Sequence, residues 1–132
     1  METSIKLPNE CLKVLVVEDD VISRMLLSEI LKECNITVVF ARNGHVAVEK
    51  VKEDTSFDFI LMDLKMPIMN GFEATKRIRE LGFTNPIIAQ TAYASEEDKA
   101  KVSSSGFSAY ISKPIKRNKL FEVIHKASGI KL

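Results

Sequence analysis

Little in this sequence directs it to polyanions, to a lipid bilayer or to an oxidising compartment. Lys and Arg total 19 against 18 for Asp and Glu, a net charge of +1. So balanced a chain has no general field to hold a nucleic-acid backbone or an anionic membrane surface, and neither is expected as a direct partner. No apolar run approaches the ~20 residues that a spanning helix requires. The two cysteines, Cys11 and Cys34, lack a metal-ligand spacing, and the N-terminus lacks the charged-then-apolar design of a secretory signal. Both are expected as reduced thiols in the cytoplasm. Low-complexity stretches, internal repeats and linkers are missing as well. What is left is 132 residues, the size of one domain that buries about two-thirds of its unfolded surface.

Short apolar runs alternate with longer segments of helical period, the signature of βαβ units. The pattern predicts strands over 13–18, 37–41, 57–62, 86–91 and 109–112, and helices over 21–34, 44–53, 71–80, 95–104 and 117–128. Residues 1–10 are expected to form a tail, 11–128 the domain and 129–132 its C-terminal end. The first and third strands are continuously apolar, as strands covered on both faces are, and right-handed crossovers then give a doubly wound three-layer α/β sandwich. Asn43-Gly44 and Asn70-Gly71 open two helices, Ser95 with Asp98 resembles a capping box, and Gly129 closes the last helix. In the first helix Leu27, Ile30, Leu31 and Cys34 share one face, which leaves Val21, Ile22 and Met25 outside the stripe that faces the sheet. Those three are candidates for partner docking, with cover by Arg24 and Lys32 as the plain alternative. The fourth helix has only Ala100 and Val102 as apolar residues and should be weakly anchored.

Chemistry gathers where the strands end. Glu18, Asp19 and Asp20 close the first strand and Asp63 closes the third. A parallel sheet brings such ends to one edge, where clustered carboxylates repel unless a cation or protons relieve them. Asp20 is better read as a helix N-cap, but Asp63 is followed within four residues by Pro67, which marks a loop. The fourth strand delivers Thr91 to the same edge and the fifth delivers Lys113, followed by Pro114. Acids, a hydroxyl and an ammonium suit the transfer of a phosphoryl group to Asp63, with a divalent cation to neutralise its oxygens.

These segments resemble a known family. Val14 to Asp20, Leu61 to Pro67 followed by Asn70 to Ala74, Pro86 to Ala92, and Ala109 to Pro114 look like the receiver domain of two-component response regulators, over residues 11–128. Pro67 to Gly71 and Tyr110 to Pro114 are similar to receivers attached to hybrid sensor histidine kinases. The resemblance implies a flavodoxin-like (βα)5 fold with a five-stranded parallel sheet in the order 2-1-3-4-5. It implies that Asp63 accepts a phosphoryl group from a phosphohistidine of a histidine kinase or histidine phosphotransfer protein. Glu18, Asp19, Asp63 and the backbone carbonyl of Lys65 then hold Mg²⁺, with Mn²⁺ as a substitute. Lys113 pairs with the phosphoryl oxygens, its bond to Pro114 being cis. Thr91 and Tyr110 form the switch pair, which alters the surface of the last two helices and the strand between them.

Val21, Ile22, Met25 and Pro114 are the expected docking residues, and a phosphorylation-dependent homodimer is a further expected contact. No output domain fits after Ser128, so output is expected through a downstream effector or an attached domain. Glu18 stands where the family often has Asp, and Gln90 replaces a small or apolar residue. Lys65 and Tyr93 occupy positions that tune water's access to the phosphoryl group.

Competing classes fit less well. A hydrolase or phosphotransferase with an aspartate nucleophile would need a second acid two residues after Asp63, where Lys65 stands, and an insertion to form a lid. A flavin module would need a phosphate-cradling loop after the first strand, where three acids repel phosphate. A phosphorylation-independent interaction module would have no need of the complete acid, threonine and lysine set.

Overall fold

The computed structural model describes residues 11–92 and 95–132. The expected tail at residues 1–10 and Tyr93 lie outside the described residues. Five strands alternate with five helices: β1 (Leu12–Val17), α1 (Val21–Lys32), β2 (Ile36–Ala41), α2 (Gly44–Glu53), β3 (Phe59–Asp63), α3 (Gly71–Glu80), β4 (Ile87–Thr91), α4 (Glu96–Ser104), β5 (Ala109–Ser112) and α5 (Arg117–Ser128). The strands form one parallel sheet in the order β2-β1-β3-β4-β5. The doubly wound flavodoxin-like fold expected from the sequence is the one observed.

Two apolar layers sandwich the sheet. Alternate residues of β1 and β3, Val14, Val16, Phe59 and Leu61, meet Leu27 and Leu31 of α1 and Leu120 and Ile124 of α5. Their neighbours Leu15, Val17, Ile60 and Met62 face Ala47 and Val51 of α2 and Ala74 and Ile78 of α3. This two-sided burial is why the central strands are apolar without alternation, and each buried Leu, Ile or Phe contributes about 1.5–3 kcal/mol. Beneath α4 the core is small: Val102 is its buried side chain, grouped with Leu64 and Ala89. Ala100, expected to help anchor that helix, is exposed.

Helix starts follow their capping residues. Asp20, Asn43, Asn70 and Ser95 each accept a hydrogen bond from the backbone N–H three residues on. Gly129 ends α5 in the left-handed region at φ 79°. Two boundaries differ from expectation by two residues, and several others by one. α1 stops at Lys32 rather than 34, because the chain turns at Asn35, φ 56°, to enter β2. Cys34 therefore lies beyond the helix, half-buried. The third strand begins at Phe59 rather than 57 and includes Asp63, since Asp58 is engaged by Lys13 through both backbone and side chain.

Candidate functional site: an acidic crevice with one lysine

The register puts the acids together. Val17 pairs with Met62, so Glu18 follows at the level of Asp63 at the C-terminal edge of the sheet. One carboxylate oxygen from each of Glu18, Asp19 and Asp63 lies within 4.8 Å of the others. Glu18 is fully buried and Asp63 nearly so, whereas Asp19 is exposed. Across the crevice Lys113 donates from Nζ to Glu18 Oε1 at 2.9 Å and to Asp63 Oδ2 at 3.3 Å. Lys113 reaches this position because its backbone N–H bonds Thr91 O, zipping β5 to the end of β4, and its peptide bond to Pro114 is cis. Asp63 Oδ1 accepts from Lys65 N at 3.3 Å. Asp20, as expected, is turned to capping: its Oδ2 accepts from Ser23 N and Oγ. The Ser23 backbone bond, chiefly, holds its carboxyl below the ordinary value.

The electrostatics of the pair are asymmetric. Burial pushes the Glu18 carboxyl up, and Asp63's negative charge adds to this, so the Lys113 bond does not bring it down to normal. Burial pulls Lys113 the other way, yet the Glu18 hydrogen bond and the charges of Asp63 and Glu18 prevail and raise it. Two carboxylates act on one ammonium, while Glu18 has one cation and a like-charged neighbour. The crevice carries more negative charge than Lys113 neutralises. An all-oxygen set of carboxylates at this spacing suits a hard divalent cation.

The loop after β3 is folded tightly against the site. Gly71 N bonds Leu64 O, and a Cβ at Gly71 would fall 2.3 Å from Asp63 O. Glycine is required there by close approach rather than by φ. At the loop's outer turn Met69 N bonds Pro67 O at 2.7 Å around Ile68, whose φ is 71° and whose side chain is 82 % exposed. A β-branched residue in that conformation is strained. Nothing in the sequence marked Ile68, because an isoleucine gives no signal of positive φ.

The remaining expected residues are distributed around this centre. Thr91 is buried at the end of β4, and Tyr110 on β5 is 37 % exposed. Val21, Ile22 and Met25 are 55, 71 and 61 % exposed on the first turns of α1. Arg24 does not simply lie over them: its Nη1 donates to Glu18 O at 2.9 Å, which ties α1 to the acid-bearing turn. Beside them Val21, Met25 and Phe40 border a shallow cleft of about 300 Å³. Pro114 is exposed and follows directly on Lys113. A larger cleft, about 730 Å³, lies between α3 and α4 around Phe72, Lys76 and Lys101, away from the acids. Among the described residues no helix is long and apolar enough to cross a membrane.

Comparison with known proteins agrees with this geometry. The sequence profile of the response regulator receiver domain matches residues 14–125. Two-component response regulator 24 of Arabidopsis thaliana is 36 % identical over 87 % of this chain and 83 % of its own length. Hybrid signal transduction histidine kinase I of Dictyostelium discoideum is 40 % identical over 86 % of this chain, which spans only 7 % of that protein. Among solved structures, the receiver domain of sensor histidine kinase PA1611 of Pseudomonas aeruginosa, with a magnesium ion in its active-site cleft, is 31 % identical. Its TM-score is 0.82, over 92 % of this chain and all of that one. The receiver domain of Ssk1, in complex with the histidine phosphotransfer protein Ypd1 of Saccharomyces cerevisiae, is 33 % identical with a TM-score of 0.82 over 89 % of each chain. With the sheet order, the edge that gathers the acids and the profile match in agreement, the chain belongs to the response regulator receiver domains of two-component systems.

Proposed function

We propose that Asp63 is the phosphoacceptor and that the domain is a signalling switch rather than an enzyme acting on a separate substrate. The observation that carries this reading is the meeting of Glu18, Asp19, Asp63 and Lys113 at one edge of the sheet. A carboxylate oxygen of Asp63 attacks the phosphorus of a phosphohistidine, the P–N bond breaks, and the imidazole leaves with the electron pair. Lys113 moves its hydrogen bonds from the carboxylates to the incoming oxygens, and the crevice excludes most water around the nearly buried Asp63. Glu18, Asp19, Asp63 and the Lys65 carbonyl would hold Mg²⁺, or Mn²⁺ in its place. The ion supplies neutralisation of the phosphoryl charge when bound.

In the same reading Thr91 donates to a phosphoryl oxygen, and the half-exposed Tyr110 turns toward the space this vacates. The surface of α4, β5 and α5 changes as a result. The small core under α4 makes that helix the element a few kcal/mol can shift. Val21, Ile22, Met25 and Pro114 form the docking face for a histidine kinase or phosphotransfer protein, a reading supported by the exposure of all four; the kind of partner is supported by the Ypd1 complex of the yeast relative. Output passes to an effector or an attached domain, with a phosphorylation-dependent homodimer as one form of it. An ATP-fuelled kinase as donor places the domain in the cytoplasm.

The test is incubation with Mg²⁺ and acetyl phosphate, followed by intact mass. The wild type gains one phosphoryl group and Asp63→Asn gains none; gain by the variant, or none by the wild type with any donor, overturns the assignment.

A further inference from the structure

Gln90 is fully buried in β4, and among the described residues neither its Oε1 nor its Nε2 has a hydrogen-bond partner. Such a group costs stability that an apolar side chain of equal size would not, so its presence needs a physical account. The register supplies one. Gln90 pairs with Asp63 on β3 and with Ile111 on β5. Residues paired in a parallel sheet project to the same face. That face is the one that carries Ile88 and Ile111, both in the core under α1 and α5. The Gln90 side chain therefore leaves the sheet on the same face as that of its paired neighbour Asp63, and Lys113 lies two residues beyond its other partner.

Asp63 is weakly held for a buried carboxylate. Its two donors among the described residues, Lys65 N and Lys113 Nζ, both stand at 3.3 Å, beyond the usual charge-assisted range. Lys113 is also the donor that a phosphoryl group draws away. At that moment Lys65 N, at 3.3 Å, is the donor left to the carboxyl, and a further donor beside it would help fix the nucleophile's orientation.

We propose that Gln90 is a positioning residue for Asp63: its amide N–H turns to the Asp63 carboxyl as Lys113 transfers its hydrogen bond to the phosphoryl oxygens. The inference rests on Asp63 being the phosphoacceptor. The unpaired amide is the resting form of a donor that finds its acceptor only during the reaction. A residue placed for such a role weakens the unphosphorylated fold and speeds phosphorylation, so the two effects of its removal have opposite sign.

The experiment compares the wild type with Gln90→Met, which keeps the volume and loses the amide. Three quantities are read: the Tm of the metal-free protein, the affinity for Mg²⁺ alone, and the rate of acyl-phosphate formation from acetyl phosphate. The expected result is a Tm about 4 °C higher, Mg²⁺ affinity unchanged within about twofold, and phosphorylation about tenfold slower, the loss of one hydrogen bond to a charged group. Gln90→Leu repeats the measurement where methionine overpacks. Equal phosphorylation rates for variant and wild type overturn the role of Gln90 alone. A slower rate with a lower Tm also overturns it, because lost packing then explains both. A wild type that takes up no phosphoryl group overturns the phosphoacceptor assignment and this inference with it.

Discussion

Removal of Lys113 tests the physical basis of the crevice most directly. Lys113→Met keeps the length of the side chain and removes its charge from between Glu18 and Asp63. At an effective dielectric near 20, each contact, at 2.9 and 3.3 Å, represents about 5 kcal/mol of attraction. Most of this is offset by burying the ammonium, and Lys113 retains one-fifth of its side-chain exposure. Loss of one partner of a buried pair costs about 3–5 kcal/mol. Here one acid is free to take up a proton, so about 2–3 kcal/mol is the expected net loss. For a domain of this size that lowers Tm by roughly 10 °C in metal-free buffer.

Two further readouts distinguish charge from packing. Mg²⁺ and Lys113 compete for the same carboxylates, so the variant should bind Mg²⁺ more tightly, and saturating Mg²⁺ should narrow the gap in Tm. In the wild type the folded-state pKa of Lys113 lies above the ordinary 10.5. Its stabilisation is therefore complete below pH 10.5 and is lost as the pH rises through the folded value, a component that the variant lacks. Thermal melts with and without Mg²⁺, across pH, measure all of this. A fall in Tm under about 2 °C, with unchanged Mg²⁺ affinity, would refute the view that the crevice holds uncompensated negative charge.

Other changes give equally definite outcomes. Ile68→Gly releases the positive φ of a side chain that is 82 % exposed, so it should raise stability by about 1 kcal/mol in urea unfolding. Gly71→Ala forces a Cβ against the Asp63 carbonyl and should cost about 3 kcal/mol in the same assay, with weaker Mg²⁺ binding because the end of β3 must move. Asn43→Ala removes the buried cap of α2 and should cost about 1–2 kcal/mol without altering phosphorylation by acetyl phosphate.

Much of this protein was legible from patterns whose cause is local. Continuous apolar runs marked β1 and β3 because strands covered on both faces have no polar side. Asn43, Asn70 and Ser95 marked helix starts because a short polar side chain satisfies a backbone N–H there. The acids, Thr91 and Lys113 were identifiable as strand-end residues, and a parallel sheet sends all such ends to one edge. That reasoning extended to Val21, Ile22 and Met25, whose helical phase turned them from the core.

What required tertiary structure was every property that depends on two distant segments meeting. The bond of Lys113 to Glu18 spans 95 positions, and its directionality follows from register rather than composition. Pattern offers Arg24 as the alternative cover for its apolar neighbours, and its reach to the Glu18 carbonyl is visible only in the fold. The strain at Ile68 arises from the loop's path between β3 and Gly71, not from its side-chain type. Gln90 was noticeable in sequence only as an unusual residue. Burial without a partner is a statement about everything around it, and local pattern carries no information about what the flanking strands β3 and β5 bring beside a side chain.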